Sequence, residues 1–289
     1  MPDVKPFLSL EAQIEKICSR GCTINDKNQA MAVLSRINYY RFSAYFLPFK
    51  QADGSYKIGT AFAKVYGMYE FDRRIRGVVF QAVARIEVLM RSRIAYLYAE
   101  NYGPLGYLDA QNYSSKWHNH AKFLEQIKNE IRQNRKVLFV KHHIKKYDNQ
   151  FPLWVIVELF TFGMLSKFYA DLQTPIKKKI ARSVGAYTPE KLSSWLRCCT
   201  ELRNICAHHG RLYFRRLSSA PAGFTDISAK DQHTLFTMLR VIKNLYPERK
   251  SWNTEVVERI DALITDYQDC IQLRHIGFPA DWKKQLEQI

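Results

Sequence analysis

The stretch that decides the fold is Leu196 to Tyr213, LRCCTELRNICAHHGRLY. With the residues just upstream, Leu192, Trp195, Leu196, Cys199, Leu202 and Cys206 recur at three- and four-residue spacing, the apolar stripe of an amphipathic helix. Thr188, Pro189 and Glu190 open it with a hydroxyl cap, a proline and an acid, and Gly210 supplies a stop. At about 100° per residue, Arg203 falls on the shoulder of the stripe. Asn204 and His208 fall on the opposite side, one turn apart. A guanidinium, an amide and an imidazole thus share a patch that the helix's own core contacts do not need.

These groups suit phosphodiester chemistry. Arginine offers a planar, permanently charged fork to phosphate oxygens. An imidazole can take a proton from a hydroxyl and return one to a leaving oxygen, and an amide can orient the imidazole or hold a base or sugar edge. If the attacking group is the 2′-hydroxyl of RNA, the chemistry needs no metal. The competing reading is a surface arginine and two histidines in a last turn, where cations complement the helix dipole.

The rest of the chain is predicted to be helices joined by short loops. Ser9 caps a helix over Leu10 to Arg20, ended by Gly21, and Asp26 caps another over Lys27 to Ile37. The run after it is dense in aromatic residues around Arg41. It is read as a wedge that closes the core and holds Arg41 in cation–π contact rather than as a stacking platform for bases. Gln51 to Gly59 is a polar loop with room for a small hairpin. A long helix runs from Thr60 to about Asn101 on the period of Ile75, Val78, Val79, Ala82, Val83, Ile86, Leu89, Met90 and Leu97, with Gly67 and Gly77 allowing a bend. Its polar side carries Arg73, Arg74, Arg76, Arg85, Arg91 and Arg93 against Glu70, Asp72 and Glu87. Glu87 is placed to pair with Arg91 one turn on, or to lie with it beside the Arg203 helix and orient it.

Ser115 is read as the start of a strongly basic helix reaching Lys146. It carries Lys116, Lys122, Lys128, Arg132, Arg135, Lys136, Lys141, Lys145 and Lys146 against Glu125 and Glu130. Such density suits a surface that tracks phosphates. Pro152 starts an apolar helix, Thr174-Pro175 a basic amphipathic one, and Arg211, Arg215 and Arg216 form a basic turn before the Ser218 to Gly223 loop. Closing helices run from Asp231 to about Leu245, from Asn253 to about Ile271, and after Pro279.

Composition agrees. The 289 residues are 47% hydrophobic and 13% aromatic, with formal net charge +17, which describes a folded chain suited to a polyanionic partner. The first residues lack the apolar core of a signal peptide. The best candidate span, Leu153 to Leu165, is short and carries Glu158, so a cytoplasmic protein with no membrane partner is expected. Cys18 and Cys22 have no histidine pair to complete a zinc site; reduced, mostly buried thiols are expected, with no metal and no cofactor. One all-α domain is expected, with residues 1–59 as an N-terminal helical elaboration, 60–215 as the core and 216–289 as C-terminal helices.

The Arg203–Asn204–His208 segment resembles the R-x(4–6)-H signature of HEPN domains (higher eukaryotes and prokaryotes nucleotide-binding). The whole chain resembles the abortive-infection family of bacterial phage-defence proteins, the AbiD/AbiF-like group. INYYRFSAYFLPF (Ile37 to Phe49), YEFDRRIRGVV (Tyr69 to Val79), ARIEVLMRSRIAY (Ala84 to Tyr96), FPLWVIVELFTFGMLSKFY (Phe151 to Tyr169), ELRNICAHHGRLY and HIGFPADW (His275 to Trp282) occur in family order. The resemblance implies a HEPN-like helical bundle and a metal-independent endoribonuclease acting as a toxin or phage-defence effector. It implies a homodimer across the motif helix, whose composite site uses Arg203 on the phosphate, His208 as base or acid and Asn204 as positioner. His209, Arg211, Glu87 and Arg91 are secondary candidates. Arg73, Arg74, Arg76, Lys128, Arg132, Arg135, Lys136, Lys141, Lys145, Lys146, Arg215 and Arg216 are candidates for holding RNA. The expected product end is a 2′,3′-cyclic phosphate. The rivals are a non-catalytic protein that holds a structured noncoding RNA, and nucleotidyl transfer or modification by a HEPN partner that has an antitoxin.

Overall fold

The structure, a computed structural model, describes residues 4, 6–114 and 116–287. Its elements are helical: α1 (Leu10–Ser19), α2 (Lys27–Arg36), α3 (Tyr39–Ser43), α4 (Phe62–Tyr102), α5 (His120–Gln133), α6 (Leu138–Lys146), α7 (Leu153–Ile156), α8 (Phe162–Asp171), α9 (Thr174–Ser183), α10 (Pro189–Ala207), α11 (Leu235–Leu245), α12 (Glu258–Asp266) and α13 (Trp282–Glu287). Extended pairing among the described residues is limited to single bridges, of which Lys50 with Tyr56 is all that remains of the expected hairpin. The all-α expectation holds. The described residues fall into two compact units, one within 1–75 and 260–273, the other within 76–259 and 274–289.

In the first unit the expected caps are in place. Ser9 accepts from the Ala12 N–H and Asp26 from the Gln29 N–H, and α1 packs on α2. The aromatic run after α2 does form a wedge, since Phe42, Tyr45 and Phe46 are buried and Phe42 meets Phe46 edge-on with ring centres 5.5 Å apart. Arg41, however, is exposed and lies over no ring among the described residues. The wedge closes on apolar partners and leaves the cation in water. Gly67 serves packing rather than bending: a Cβ there would sit 2.4 Å from the Cys270 Sγ, and α4 continues through it without interruption.

In the second unit the α4 period buries Val79, Val83, Ile86, Met90 and Ile94 completely. Helix α10 packs against α8, α9 and α11, with Leu192, Leu196 and Leu202 at 0% exposure. Two predicted helices that bear on the site are divided. The basic stretch becomes α5, capped by Asn119 through the Lys122 N–H at 2.9 Å, and α6, separated at Asn134–Val137; Ser115, the expected start, lies outside the described residues. The apolar stretch after Pro152 becomes α7, a 3-10 turn over Val157–Leu159, and α8, with Phe160 extended between them (ψ 132°) and Thr161 capping α8. A helix would have used the Phe160 carbonyl four residues on; the break leaves it available.

Candidate active site

The end of α10 differs from the sequence expectation by one residue, and that residue matters. The helix stops at Ala207 and His208 is its C-terminal cap. The left-handed position falls on His209 (φ 54°) rather than Gly210. Gly210 N–H donates to the Ile205 carbonyl at 2.7 Å and His209 N–H to the Cys206 carbonyl at 3.1 Å, the paired bonds of a Schellman ending. A side chain in that conformation costs about 1–2 kcal/mol. Gly210 is needed for close approach instead: a Cβ would lie 3.1 Å from the Ile205 Cγ2 and 3.2 Å from its carbonyl oxygen. The last turn therefore presents two adjacent imidazoles, and Asn204, His208 and His209 are all exposed.

Arg203 joins this exposed group to the interior. Its Nε lies 3.4 Å from the Glu87 Oε2, and its Nη1 lies 3.5 Å from the Asn204 Oδ1. The Nε–H is within ion-pair distance of the carboxylate but off the hydrogen-bond direction, so it has no hydrogen-bond partner among the described residues. On the other side of Glu87, Oε1 accepts from the Arg91 Nη2 at 2.6 Å. The same Nη2 donates to the freed Phe160 carbonyl at 2.7 Å. Glu87 is 7% exposed. Both arrangements expected from the sequence thus coexist: Glu87 pairs with Arg91 along α4 and also backs Arg203. Two guanidiniums share one carboxylate, so the cluster keeps a positive charge. The Nη end of Arg203 stands beside Asn204 on the exposed side, while its Nε side faces the buried carboxylate.

The remaining candidates divide. Lys128, Arg132, Arg135, Lys136, Lys141, Lys145 and Lys146 are exposed on or between α5 and α6, with Arg132 in a loose 3.8 Å pair with Glu125. Arg73 is forked by Glu70 at 2.8 Å, and Arg74 lies 5.5 Å from the Tyr267 ring centre. Arg76 departs from the expected polar side, because it is 5% exposed and belongs to the interior. Arg211 is half-buried; Arg215 and Arg216 are exposed, Arg216 donating to the Lys230 carbonyl. Two contributors escaped the sequence. The Phe160 carbonyl is one. Glu201 is the other: its carboxylate accepts from the Ser218 and Ser219 N–H groups at 2.7 and 2.8 Å, fastening the loop that follows the basic turn to α10. Burial pushes the Glu201 carboxyl up, but the backbone and side-chain hydrogen bonds of Ser218 and Ser219 together outweigh it and leave it below its ordinary value. Beside α10's end, the Tyr213 hydroxyl lies 3.1 Å from the His275 Nδ1, which brings two of the quoted sequence blocks together. Among the described residues no three His, Cys, Asp or Glu side chains are grouped to hold a metal ion, and no helix is long and apolar enough to cross a membrane.

Fold and site define an all-α protein with an arginine–asparagine–histidine patch at the end of one buried helix. The family model described as "Abi-like protein" matches residues 32–214. The chain belongs to this abortive-infection family, and the matched span runs from α2 to just beyond α10. Neither a curated protein nor a solved structure matches it.

Proposed function

We propose that the protein is a metal-independent endoribonuclease of HEPN type, acting as an abortive-infection effector in phage defence, with Arg203, Asn204 and His208 as its active residues. The observation that carries this reading is the Arg203 guanidinium backed at Nε by buried Glu87, with its Nη end beside Asn204, which lies one turn before the exposed His208 cap. A guanidinium held from behind loses little freedom when it meets a phosphate. In the reaction an imidazole removes the proton of the RNA 2′-hydroxyl, and the 2′-oxygen attacks the adjacent phosphorus. The P–O5′ bond breaks, and the leaving oxygen takes a proton from a second acid. The products are a 2′,3′-cyclic phosphate and a 5′-hydroxyl. Arg203 stabilises charge on the non-bridging oxygens, and Asn204 orients sugar or imidazole.

The reaction uses two proton-transfer groups: His208 is one, and the family resemblance implies that a second copy of the chain brings the other, with the adjacent His209 as the alternative within one copy. Support for the second copy comes from exposed apolar side chains on α4 and α7. Val88, Tyr96 and, on α7, Trp154 are 64%, 65% and 52% exposed, and a groove of about 580 Å³ runs between Arg91, Tyr96, Ala99 and Trp154. The exposed lysines and arginines of α5 and α6 would hold the rest of the strand. The experiment incubates purified protein with RNA and EDTA, wild type beside His208→Ala. Cleavage that survives chelation and disappears in the variant supports the nuclease. Tight binding with no cleavage by either protein supports the non-catalytic RNA-holding alternative, which the same basic surface favours.

A further inference from the structure

A second cavity lies wholly within the first unit. Its volume is about 580 Å³, inside the roughly 300–1,000 Å³ range of small-ligand sites. Two backbone bonds and a side-chain cap fix its frame: Tyr56 N–H donates to the Arg20 carbonyl at 2.6 Å, Lys57 N–H to the Phe49 carbonyl at 2.8 Å, and the Asn38 side-chain Oδ1 accepts from the Tyr40 N–H at 2.8 Å. The end of α1, the start of α3 and the Lys50–Tyr56 turn are thereby held around one space.

Three kinds of group face it. Phe46 and Tyr56, stacked with centres 4.8 Å apart, form an aromatic wall. Tyr40 and Phe7 line the cavity while 86% and 91% exposed, and neither ring packs on another among the described residues. Lys16, Arg20 and Lys50 also line it, with no Asp or Glu among the lining residues. None of the three forms an ion pair among the described residues. Lastly, Gln13 donates its Nε2 to the Leu8 carbonyl at 3.0 Å, but its buried Oε1 has no partner among the described residues.

An apolar ligand would leave three cations unneutralised. A bare anion would leave the aromatic faces and most of the volume unused. A flat ring joined to phosphate uses both, with stacking on an aromatic face and phosphate on unpaired cations. We propose that this cavity binds a nucleotide, its base stacked on Tyr40 and its phosphate held by Lys16, Arg20 and Lys50. The nucleotide is either free or part of an RNA strand, and the binding is independent of cleavage at His208.

The test titrates full-length protein with the ribonucleoside triphosphates by calorimetry, and with a fluorescein-labelled six-nucleotide RNA by anisotropy. Wild type is compared with Tyr40→Ala, Tyr40→Phe and Lys50→Gln. Removing one stacking ring lowers affinity roughly 5-fold to more than 100-fold, so Tyr40→Ala weakens binding by that factor. Lys50→Gln weakens it too and Tyr40→Phe leaves it intact, with the RNA titrations made in the His208→Ala background so that the strand is not cleaved. If only the triphosphate shows this pattern the ligand is free nucleotide; if only the RNA does, it is a strand. The proposal is overturned if neither ligand binds saturably, or if Tyr40→Ala and Lys50→Gln leave both affinities unchanged. Tyr40 and Lys50 are exposed, and unchanged thermal unfolding of the variants confirms that their fold is kept.

Discussion

Glu87→Ala removes the one carboxylate that two guanidiniums share. The side chain is 7% exposed and holds Arg91 at 2.6 Å and Arg203 at 3.4 Å. The Nε atoms of both arginines already lack a hydrogen-bond partner among the described residues, and without Glu87 each guanidinium keeps only a neutral acceptor, the Phe160 carbonyl for Arg91 and the Asn204 amide for Arg203. Removing one member of a buried pair costs about 3–5 kcal/mol. At about 2–4 °C per kcal/mol for a domain of 150–250 residues, the melting temperature falls by roughly 6–20 °C. Glu87→Gln keeps the shape and one acceptor and loses less. Released from its backing, Arg203 also shifts from the phosphate, and a misplacement near 1 Å costs about 10²-fold in rate. Thermal unfolding by circular dichroism and a single-turnover RNA cleavage assay read the two effects separately. A melting temperature within 2 °C of wild type for Glu87→Ala would refute the claim that this carboxylate holds the cluster. Undiminished cleavage would refute its role in aiming Arg203.

Other perturbations follow from the same geometry. His209→Gly relieves a left-handed side chain and should stabilise by about 1 kcal/mol, raising the melting temperature by a few degrees; a fall in cleavage alongside that rise would mark the His209 imidazole as functional. Gly67→Ala places a methyl 2.4 Å from the Cys270 Sγ and should destabilise by about 1–3 kcal/mol, measured by urea unfolding. His275 is held below its ordinary value by burial and by Arg274. Its unfolded form therefore takes a proton first as pH falls below about 6.5, and stability drops from there through the folded value. Thermal unfolding from pH 7.5 to pH 5 should show that loss, and His275→Gln should reduce it.

Much of this was legible in the sequence. The α10 stripe and the outward phase of Asn204 and His208 follow from period, and the Thr188 cap from its hydroxyl before Pro189 and Glu190. The division of the apolar stretch at Phe160 was not legible, since the same run of apolar side chains is buried whether the backbone continues or turns. The Phe160 carbonyl that steadies Arg91 was hidden with it. Gly210 was legible as a stop but the left-handed His209 was not, because spacing alone does not tell a glycine needed for φ from one needed for close approach. Arg76 could have been found: it shares the buried phase of Val79, Val83, Ile86 and Met90, and its charge concealed that phase.

The most direct measurement uses a short RNA cleaved at one site, and the same strand carrying a single 2′-O-methyl group at the nucleotide 5′ to that site, both in EDTA. If the 2′-oxygen is the nucleophile and His208 moves its proton, the unmodified strand yields a 2′,3′-cyclic phosphate and the methylated strand stays intact. Cleavage of the methylated strand at the same phosphate, or products ending in a 5′-phosphate, would contradict the account.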